Sequence, residues 1–158
     1  MSEQDEEVSS NNVAQMEQKI RSAAIGLLAR REHSLGEVRQ KVGKRFPEYV
    51  DLFNDVFVRL RADGLQCDRR FAVAYIRMRH ERGYGPSRIS QELLQRGVSS
   101  DVVGECIDEA EFDWYLLAIN VMRKKFPQGV VGYLQKSKGQ RFLYYRGFEQ
   151  DHISAALR

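Results

Sequence analysis

Apolar residues recur at every third or fourth position along most of the chain, which is the spacing of one face of an α-helix. The first such stripe includes Ile20, Ala24 and Leu27, and it predicts a helix from about residue 13 to Arg31. No segment of four to eight residues alternates cleanly between apolar and polar side chains, as a half-buried strand would. We therefore predict an all-α protein without a sheet.

Capping and breaking residues divide this pattern into short helices. Ser34 and Glu37 have the spacing of a capping box, in which each side chain accepts from the other residue's backbone amide. Asp68 is placed to cap a later helix, and Pro86 to occupy the first position of the next one. These boundaries predict three tandem three-helix repeats, over residues 13–65, 66–110 and 111–158. The third repeat begins around Glu111, although no breaker separates it from the preceding helix.

An internal repeat supports this division. The pattern Arg96-Gly97-Val98-x-x-Asp101-x-Val103-x-x-x-Ile107 returns fifty residues later as Arg146-Gly147-Phe148-x-x-Asp151-x-Ile153-x-x-x-Leu157. In each copy one helix ends, the chain turns at glycine and another amphipathic helix begins. Helices shorter than about 12–15 residues are marginal alone, so neighbouring units must pack together. We expect an elongated, curved helical array, a type of protein that presents an extended surface to a large partner.

The charge is distributed unevenly along the chain. Residues 1–18 hold five of the 22 acidic residues and none of the 25 Lys and Arg residues, so the rest carries 25 bases against 17 acids and a net charge of +8. Residues 1–12 have little to bury and are expected to form a disordered acidic tail. A basic body favours an anionic partner such as nucleic acid. The alternative is a set of solvated helix faces with an incidental excess of arginine.

Other features limit the class of protein. The longest apolar runs fall short of the roughly 18 residues that span a bilayer, and the polar, acidic start does not resemble a signal peptide. Cys67 and Cys106 have no zinc-ligand spacing and are too few for a disulfide framework. We therefore expect a cytoplasmic protein with no membrane association.

Catalytic chemistry is poorly supported. His33, His80 and His152 lie at unrelated spacings, and the chain has no metalloprotease motif, phosphate-binding glycine loop or nucleophile elbow. We predict that the protein is not an enzyme and has no catalytic residues, bound metal or cofactor.

Four segments, in order and with compatible spacing, resemble the RecX family of recombination regulators over roughly residues 18–157. The segments are His33-Ser34-x-x-Glu37-Val38, Asp68-x-x-Phe71-Ala72, Gly83-Tyr84-Gly85-Pro86-x-Arg88-Ile89-x-Gln91-Glu92-Leu93 and Arg141-Phe142-Leu143-x-x-Arg146-Gly147-Phe148. The Gly-Tyr-Gly-Pro and Arg-Gly-Phe segments are the most specific.

The resemblance implies three tandem three-helix repeats and a bacterial partner, the RecA recombinase. Members of the family bind RecA filaments on single-stranded DNA and inhibit ATP hydrolysis, strand exchange and coprotease activity. The resemblance does not distinguish filament capping from groove intercalation or disassembly. We expect a monomer that contacts single-stranded DNA directly or through the filament.

Basic residues are the candidate contacts with the filament or DNA, because arginine forks bind phosphates and carboxylates bidentately. One group belongs to the Gly-Tyr-Gly-Pro turn and the helix before it, where Arg70 and Arg77 share the face opposite the stripe of Phe71, Tyr75 and Met78. The other group lies in the predicted third repeat. The candidates are Arg70, Arg77, Arg82, Arg88, Arg123, Lys124, Lys125 and Arg146. The alternative for each group is an ordinary charged helix face or helix end.

Some residues in the family segments have a structural explanation as well as a functional one. Gly147 fits a helix C-cap in the left-handed conformation, and Phe148 fits a core position. Tyr84 is either a contact residue or packs across its turn. Tyr144 and Tyr145 could stack on bases, but their helical setting favours core packing for at least one of them.

Two further functions remain open at this stage. A free-standing nucleic-acid-binding module would use helix pairs as helix-turn-helix readers, and would act by competing for DNA. A pure scaffold would neither bind DNA tightly nor require the recombinase.

Overall fold

The computed structural model describes residues 3–158, with side chains from Glu6 onward. The described chain is helical and has no strand, which confirms the all-α prediction. A 3₁₀ helix, Pro47–Leu52, lies between the second and third α-helices. The α-helices are α1 (Glu3–Leu28), α2 (Leu35–Arg45), α3 (Phe53–Ala62), α4 (Asp68–Glu81), α5 (Pro86–Gln95), α6 (Ser100–Glu109), α7 (Trp114–Lys125), α8 (Gly132–Tyr145) and α9 (Gln150–Ala156).

The chain forms two compact units, residues 1–71 and residues 72–158, and the division falls within α4. The core of the first unit comes from α1, α2 and α3, and its buried members are Ile20, Ala24, Val38, Val42, Phe53, Val56, Phe57 and Leu60. The predicted capping box begins α2: Ser34 Oγ accepts from the Glu37 amide at 3.1 Å, and Glu37 Oε2 accepts from the Ser34 amide at 3.4 Å.

Asp68 has a different role from the one predicted. It is the first residue of α4 itself, and its Oδ1 accepts from the backbone amide of Leu35 at 2.8 Å and from Gln66 Nε2 at 2.9 Å. The Leu35 amide belongs to the first turn of α2, where no intrahelical acceptor exists. The carboxylate therefore stabilises the start of another helix, 33 residues away in sequence.

The acidic N-terminal segment also differs from expectation. The disordered tail predicted over residues 1–12 is helical from Glu3 onward, and residues 1 and 2 lie outside the described part. Residues 6–15 are exposed, so packing does not explain this extension. Extending a formed helix costs far less than nucleating one, and acidic groups near a helix N-terminus interact favourably with the helix dipole.

In the second unit, α7, α8 and α9 share a core of Ala118, Met122, Leu143, Phe148 and Ile153. The helical structure is interrupted between α6 and α7, and α7 begins at Trp114 rather than near Glu111. Glu111 has a φ of 51°, and Asp113 Oδ1 caps α7 by accepting from the Leu116 amide at 2.9 Å. No Gly or Pro marks this break in the sequence, which explains why the pattern did not reveal it.

The repeated glycine turns have the predicted conformation. Gly97 and Gly147 have φ values of 82° and 88°, in the left-handed region that glycine adopts without a Cβ clash. The amides of Val98 and Phe148 donate to carbonyls five residues earlier, at 3.2 and 3.1 Å. Both side chains are buried, so each turn ends one helix and anchors the next segment in the core.

Candidate functional site

Tyr84 lies in the turn between α4 and α5, and three arginine side chains surround its ring. The guanidinium carbons of Arg79, Arg88 and Arg146 lie 3.7, 4.7 and 4.8 Å from the ring centroid. Each distance is within the range of a favourable cation–π contact. Tyr84 is half-buried by these contacts. Of its two predicted roles, the structure supports packing across the turn.

Glu92 on α5 organises the side chains beside this ring. Its carboxylate accepts from Tyr75 Oη at 2.7 Å, from Arg79 Nη2 at 2.6 Å and from Arg88 Nε at 3.0 Å. The side chains of Arg79 and Glu92 are only 12% and 16% exposed, so their ion pair is largely shielded from water. Removing one partner of such a pair strongly destabilises the fold, because the other charge is left shielded and without its partner.

The network changes the pKa values of two of its members. Burial acts to raise the pKa of Glu92, but the hydrogen bonds from Tyr75, Arg79 and Arg88 prevail and lower it below the ordinary value of 4.5. Burial, together with the hydrogen bond to Glu92, raises the pKa of Tyr75 to about 12. Glu92 is therefore held as a carboxylate, and Tyr75 as a hydrogen-bond donor, throughout the neutral range.

The two most specific segments of the sequence contact one another. The Gly85 amide donates to the Arg146 carbonyl at 2.8 Å, and the Ser87 amide donates to the Gly147 carbonyl at 3.1 Å. A Cβ on Gly85 would collide with the Gly147 carbonyl, and a Cβ on Gly147 would collide with Arg88. Both glycines are therefore needed for the close approach of the α4–α5 turn to the α8–α9 turn.

A groove beside this contact brings together four of the predicted basic residues. It has a volume of about 450 Å³ and lies among the end of α4, α7 and α8. Its basic side chains are Arg82, Lys124, Lys125 and Arg146, and Glu81 is the one acidic group among the described residues that line it. We call this feature the basic groove. Its net charge of +3 favours an anionic ligand.

Internal contacts fix part of the basic groove. Arg146 Nη1 donates to the Arg82 carbonyl at 2.9 Å, and its guanidinium carbon lies 5.3 Å from the Phe142 ring centroid. Lys125 Nζ lies 5.8 Å from the same ring. Lys124 and Lys125 are exposed in the last turn of α7, where their charges also stabilise the helix end. The groove thus combines one held cation, Arg146, with an apolar wall and the exposed side chains of Arg82, Lys124 and Lys125.

The other four predicted residues lie outside the basic groove. Arg70 Nε contacts Glu32 Oε1 at 3.0 Å and its Nη1 donates to the Gly64 carbonyl at 2.8 Å, both within residues 1–71. Arg88 is held by Glu92 and by the carbonyl of Tyr145 at 3.0 Å. Arg77 and Arg123 are exposed. Arg70 and Arg88 thus have structural partners, whereas Arg77 and Arg123 extend from their helices.

Sequence reasoning missed the roles of Tyr75, Arg79 and Glu92. The spacing of Tyr75 and Arg79, and of Arg88 and Glu92, places each pair on one helix face and was a usable signal. The contact between the two pairs has no such local pattern, because it joins α4 to α5. The buried side of α4 also differs from the predicted stripe and includes Ile76, which places Arg79 at its margin.

The exposed face of α8 contradicts another prediction. Tyr144 and Tyr145 are 69% and 68% exposed, although core packing was expected for at least one of them. Tyr133 and Leu134 are also exposed. Leu143 and Gly139 instead form the buried side of α8. Aromatic content in a helix therefore did not identify which side is buried.

The described residues show neither a helix long and apolar enough to cross a membrane nor a group of three or more His, Cys, Asp or Glu side chains that could hold a metal ion.

Comparison with known proteins identifies the family. Residues 68–110 match the model of the RecX second three-helix domain, and residues 113–157 match that of the RecX third three-helix domain. The regulatory protein RecX of Halorhodospira halophila is 43% identical over 140 residues, covering 87% of this chain and 85% of the relative. The regulatory protein RecX of Haemophilus influenzae (strain ATCC 51907) is 40% identical over 134 residues, covering 82% and 87%.

Solved structures agree on the fold. A crystal structure of regulatory protein RecX has a TM-score of 0.82 at 18% identity, covering 99% of this chain and 78% of that one. A crystal structure of RecX from Lactobacillus salivarius has a TM-score of 0.76 at 18% identity, covering 91% and 96%. From these matches in sequence and structure, we conclude that the chain belongs to the RecX family of regulatory proteins.

Proposed function

We propose that this protein is a non-catalytic negative regulator of the RecA recombinase. It binds RecA filaments on single-stranded DNA and inhibits their ATP hydrolysis, strand exchange and coprotease activity, acting as a cytoplasmic monomer. Membership of a family whose relatives are named regulatory proteins supports the regulatory role. The basic groove is the observation that supports an anionic surface as the target of this protein.

The chemistry of the basic groove fits a nucleoprotein filament. Such a filament presents DNA phosphates and protein carboxylates, and both are ligands for arginine and lysine side chains. Arg146 is already oriented by the Arg82 carbonyl and the Phe142 ring, so little side-chain entropy is lost when it binds. Lys124 and Lys125 supply accessible charge that increases the rate of association. Arg77 and Arg123 are additional proposed contacts outside the groove.

Charge reversal in the basic groove tests this proposal. We expect Lys124→Glu with Lys125→Glu to weaken inhibition of RecA ATP hydrolysis at least about tenfold in the half-inhibitory concentration, because attraction at two positions becomes repulsion. The measurement is DNA-dependent ATP hydrolysis by the recombinase, with each variant titrated. Lys44→Glu with Arg61→Glu is the matched control, since both residues are exposed and lie in residues 1–71. Equal inhibition by the two double variants would exclude the groove as the contact.

The alternative function is a free-standing nucleic-acid-binding module that competes for DNA. The net charge of +8 after residue 18 favours it. Such a module would hold naked DNA tightly, and its affinity would fall steeply as salt rises. A filament regulator instead inhibits the recombinase at concentrations well below those that saturate naked DNA. Comparing inhibition with binding to naked DNA at the same salt concentration separates the two functions.

A further inference from the structure

Helix α8 has an unusual combination of exposed groups. Its sequence, GYLQKSKGQRFLYY, contains three basic residues, three tyrosines and no acidic residue. All three tyrosines are exposed, with Tyr133 at 84%, Tyr144 at 69% and Tyr145 at 68%. Exposed aromatic side chains are costly to hydrate unless a partner covers them, so a concentration of them marks an interaction surface.

These groups lie on one face of the helix. Tyr133 and Tyr144 are eleven residues apart, which is about three turns and about 16 Å along the axis. Leu134, Lys138, Arg141 and Tyr145 follow one another at spacings of four, three and four residues, which places them in one stripe beside the first two tyrosines. This face is opposite the buried Gly139 and Leu143. We call it the tyrosine face; its members are Tyr133, Leu134, Lys138, Arg141, Tyr144 and Tyr145.

The aromatic rings remain available to a ligand. The ring centroids of Tyr144 and Tyr145 are 6.1 Å apart with an interplanar angle of 67°, so the two rings do not stack on each other. An open depression of about 290 Å³ lies beside Tyr144 and is lined in part by Arg141 and Gln150. A flat, weakly polar group can enter this space while an anionic group reaches Arg141.

We propose that the tyrosine face is a binding site for single-stranded nucleic acid, in which bases stack on the tyrosines and phosphates contact Lys138 and Arg141. Aromatic side chains interleaved with basic ones bind single strands with little sequence preference, because every base has a face that can stack. A duplex keeps its bases stacked internally and cannot use the tyrosines in this way. The charge and the aromatic content of the face thus favour a single strand over a duplex.

This inference extends the proposed function by assigning a second surface, and it rests on that function only in taking single-stranded DNA as the ligand. The basic groove and the tyrosine face are tested separately. Substitution of Lys124 and Lys125 tests the groove through recombinase inhibition, whereas substitution of the three tyrosines tests the tyrosine face through binding of naked DNA without recombinase. If the experiment on one surface gives a negative result, the experiment on the other surface can still be interpreted.

The test is fluorescence anisotropy of a labelled oligothymidine about 15 nucleotides long, titrated with the full chain at low salt. We expect the triple variant Tyr133→Ser, Tyr144→Ser and Tyr145→Ser to bind about fivefold or more weakly for each stacked base that is lost. The corresponding triple Phe variant should retain the affinity, because phenyl rings also stack. Tyr49→Ser is the matched control, since Tyr49 is an exposed tyrosine in residues 1–71.

A second variant tests the electrostatic part of the site. Lys138→Gln with Arg141→Gln should lower the salt dependence of single-strand binding by about 1.4 in the log–log slope, since each phosphate contact contributes about 0.7. Helical circular dichroism checks that each variant folds. Unchanged affinity of the Ser variant, an unchanged salt slope, or equal binding of a duplex of the same length would overturn the proposal.

Two other results would also overturn it. Loss of affinity in the Phe variant would mean that the hydroxyl groups, rather than stacking, provide the contact. A concentration-dependent dimer that the Ser variant dissociates, observed by analytical ultracentrifugation without DNA, would instead identify the tyrosine face as an interface between two copies of this chain.

Discussion

Glu92 shows how one residue links the two helices that flank a turn, α4 and α5. Its carboxylate accepts from Tyr75 and Arg79 on α4 and from Arg88 on α5. Arg88 in turn donates to the carbonyl of Tyr145 at the end of α8. Arg82, Arg88 and Arg146 were candidate contacts because of their charge. Arg88 has internal partners in Glu92 and the Tyr145 carbonyl, whereas Arg82 and Arg146 line the basic groove.

We expect Glu92→Gln to lower the free energy of unfolding by about 2–3 kcal/mol, because it leaves the shielded guanidinium of Arg79 without its charged partner. Urea unfolding followed by circular dichroism measures the change. Asp108→Asn is the control, since Asp108 is exposed on α6, and its effect should be within about 0.5 kcal/mol. Equal stability of the two variants would show that the network contributes little.

The effect of Glu92→Gln on the free energy of unfolding should depend on pH. The lowered pKa of Glu92 determines the direction of this dependence. The stabilisation is fully present above the ordinary value of 4.5 and is lost as the pH falls through the folded-state pKa. The difference in unfolding free energy between the natural chain and Glu92→Gln should therefore shrink in acid. A difference that is constant from neutral pH to well below 4.5 would contradict this assignment.

At the scale of elements, the glycine turns determine where helices end and how closely they approach. Gly97 and Gly147 were predictable because left-handed caps have a strong local sequence signal, as does the capping box of Ser34 and Glu37. The contact of Gly147 with Arg88 was not predictable, because it joins segments about 60 residues apart. Capping residues in the sequence thus identified helix ends, whereas the contacts between helices were seen only in the structure.

Gly147→Ala should be destabilising by at least about 2 kcal/mol, since alanine disfavours a φ of 88° and its Cβ would collide with Arg88. Gly104→Ala is the control, because Gly104 lies within α6 and nothing stands within 4 Å of its added Cβ. That change should be neutral or stabilising by up to about 1 kcal/mol. Thermal unfolding of both variants measures the contrast, and equal melting temperatures would refute it.

Helix α8 and the N-terminal segment show where sequence patterns lose information. Apolar and aromatic residues occur around most of α8, so periodicity does not select a buried side, and the structure buries Leu143 while exposing Tyr144 and Tyr145. The polar composition before residue 13 predicted disorder, but a helix needs no buried face when it continues from a packed segment. For residues 6–12, composition therefore predicted the exposure of the side chains but not the backbone conformation.

At the scale of the whole molecule, a net charge of only +3 conceals where the charges lie. The basic groove carries a local +3 within residues 72–158, and α8 in the same unit has no acidic residue. Residues 1–18 hold five acids and no base. The distribution of charge, together with membership of the RecX family, supports a regulator of a nucleoprotein filament over a scaffold that requires no anionic partner.

The most direct test is RecA ATP hydrolysis on single-stranded DNA, with this protein added from well below one molecule per recombinase. We predict inhibition at substoichiometric amounts, because a filament regulator acts on the assembled polymer rather than on each subunit separately. Inhibition that begins only when the protein is sufficient to saturate the DNA itself would contradict this account, and would identify a competitor for DNA instead.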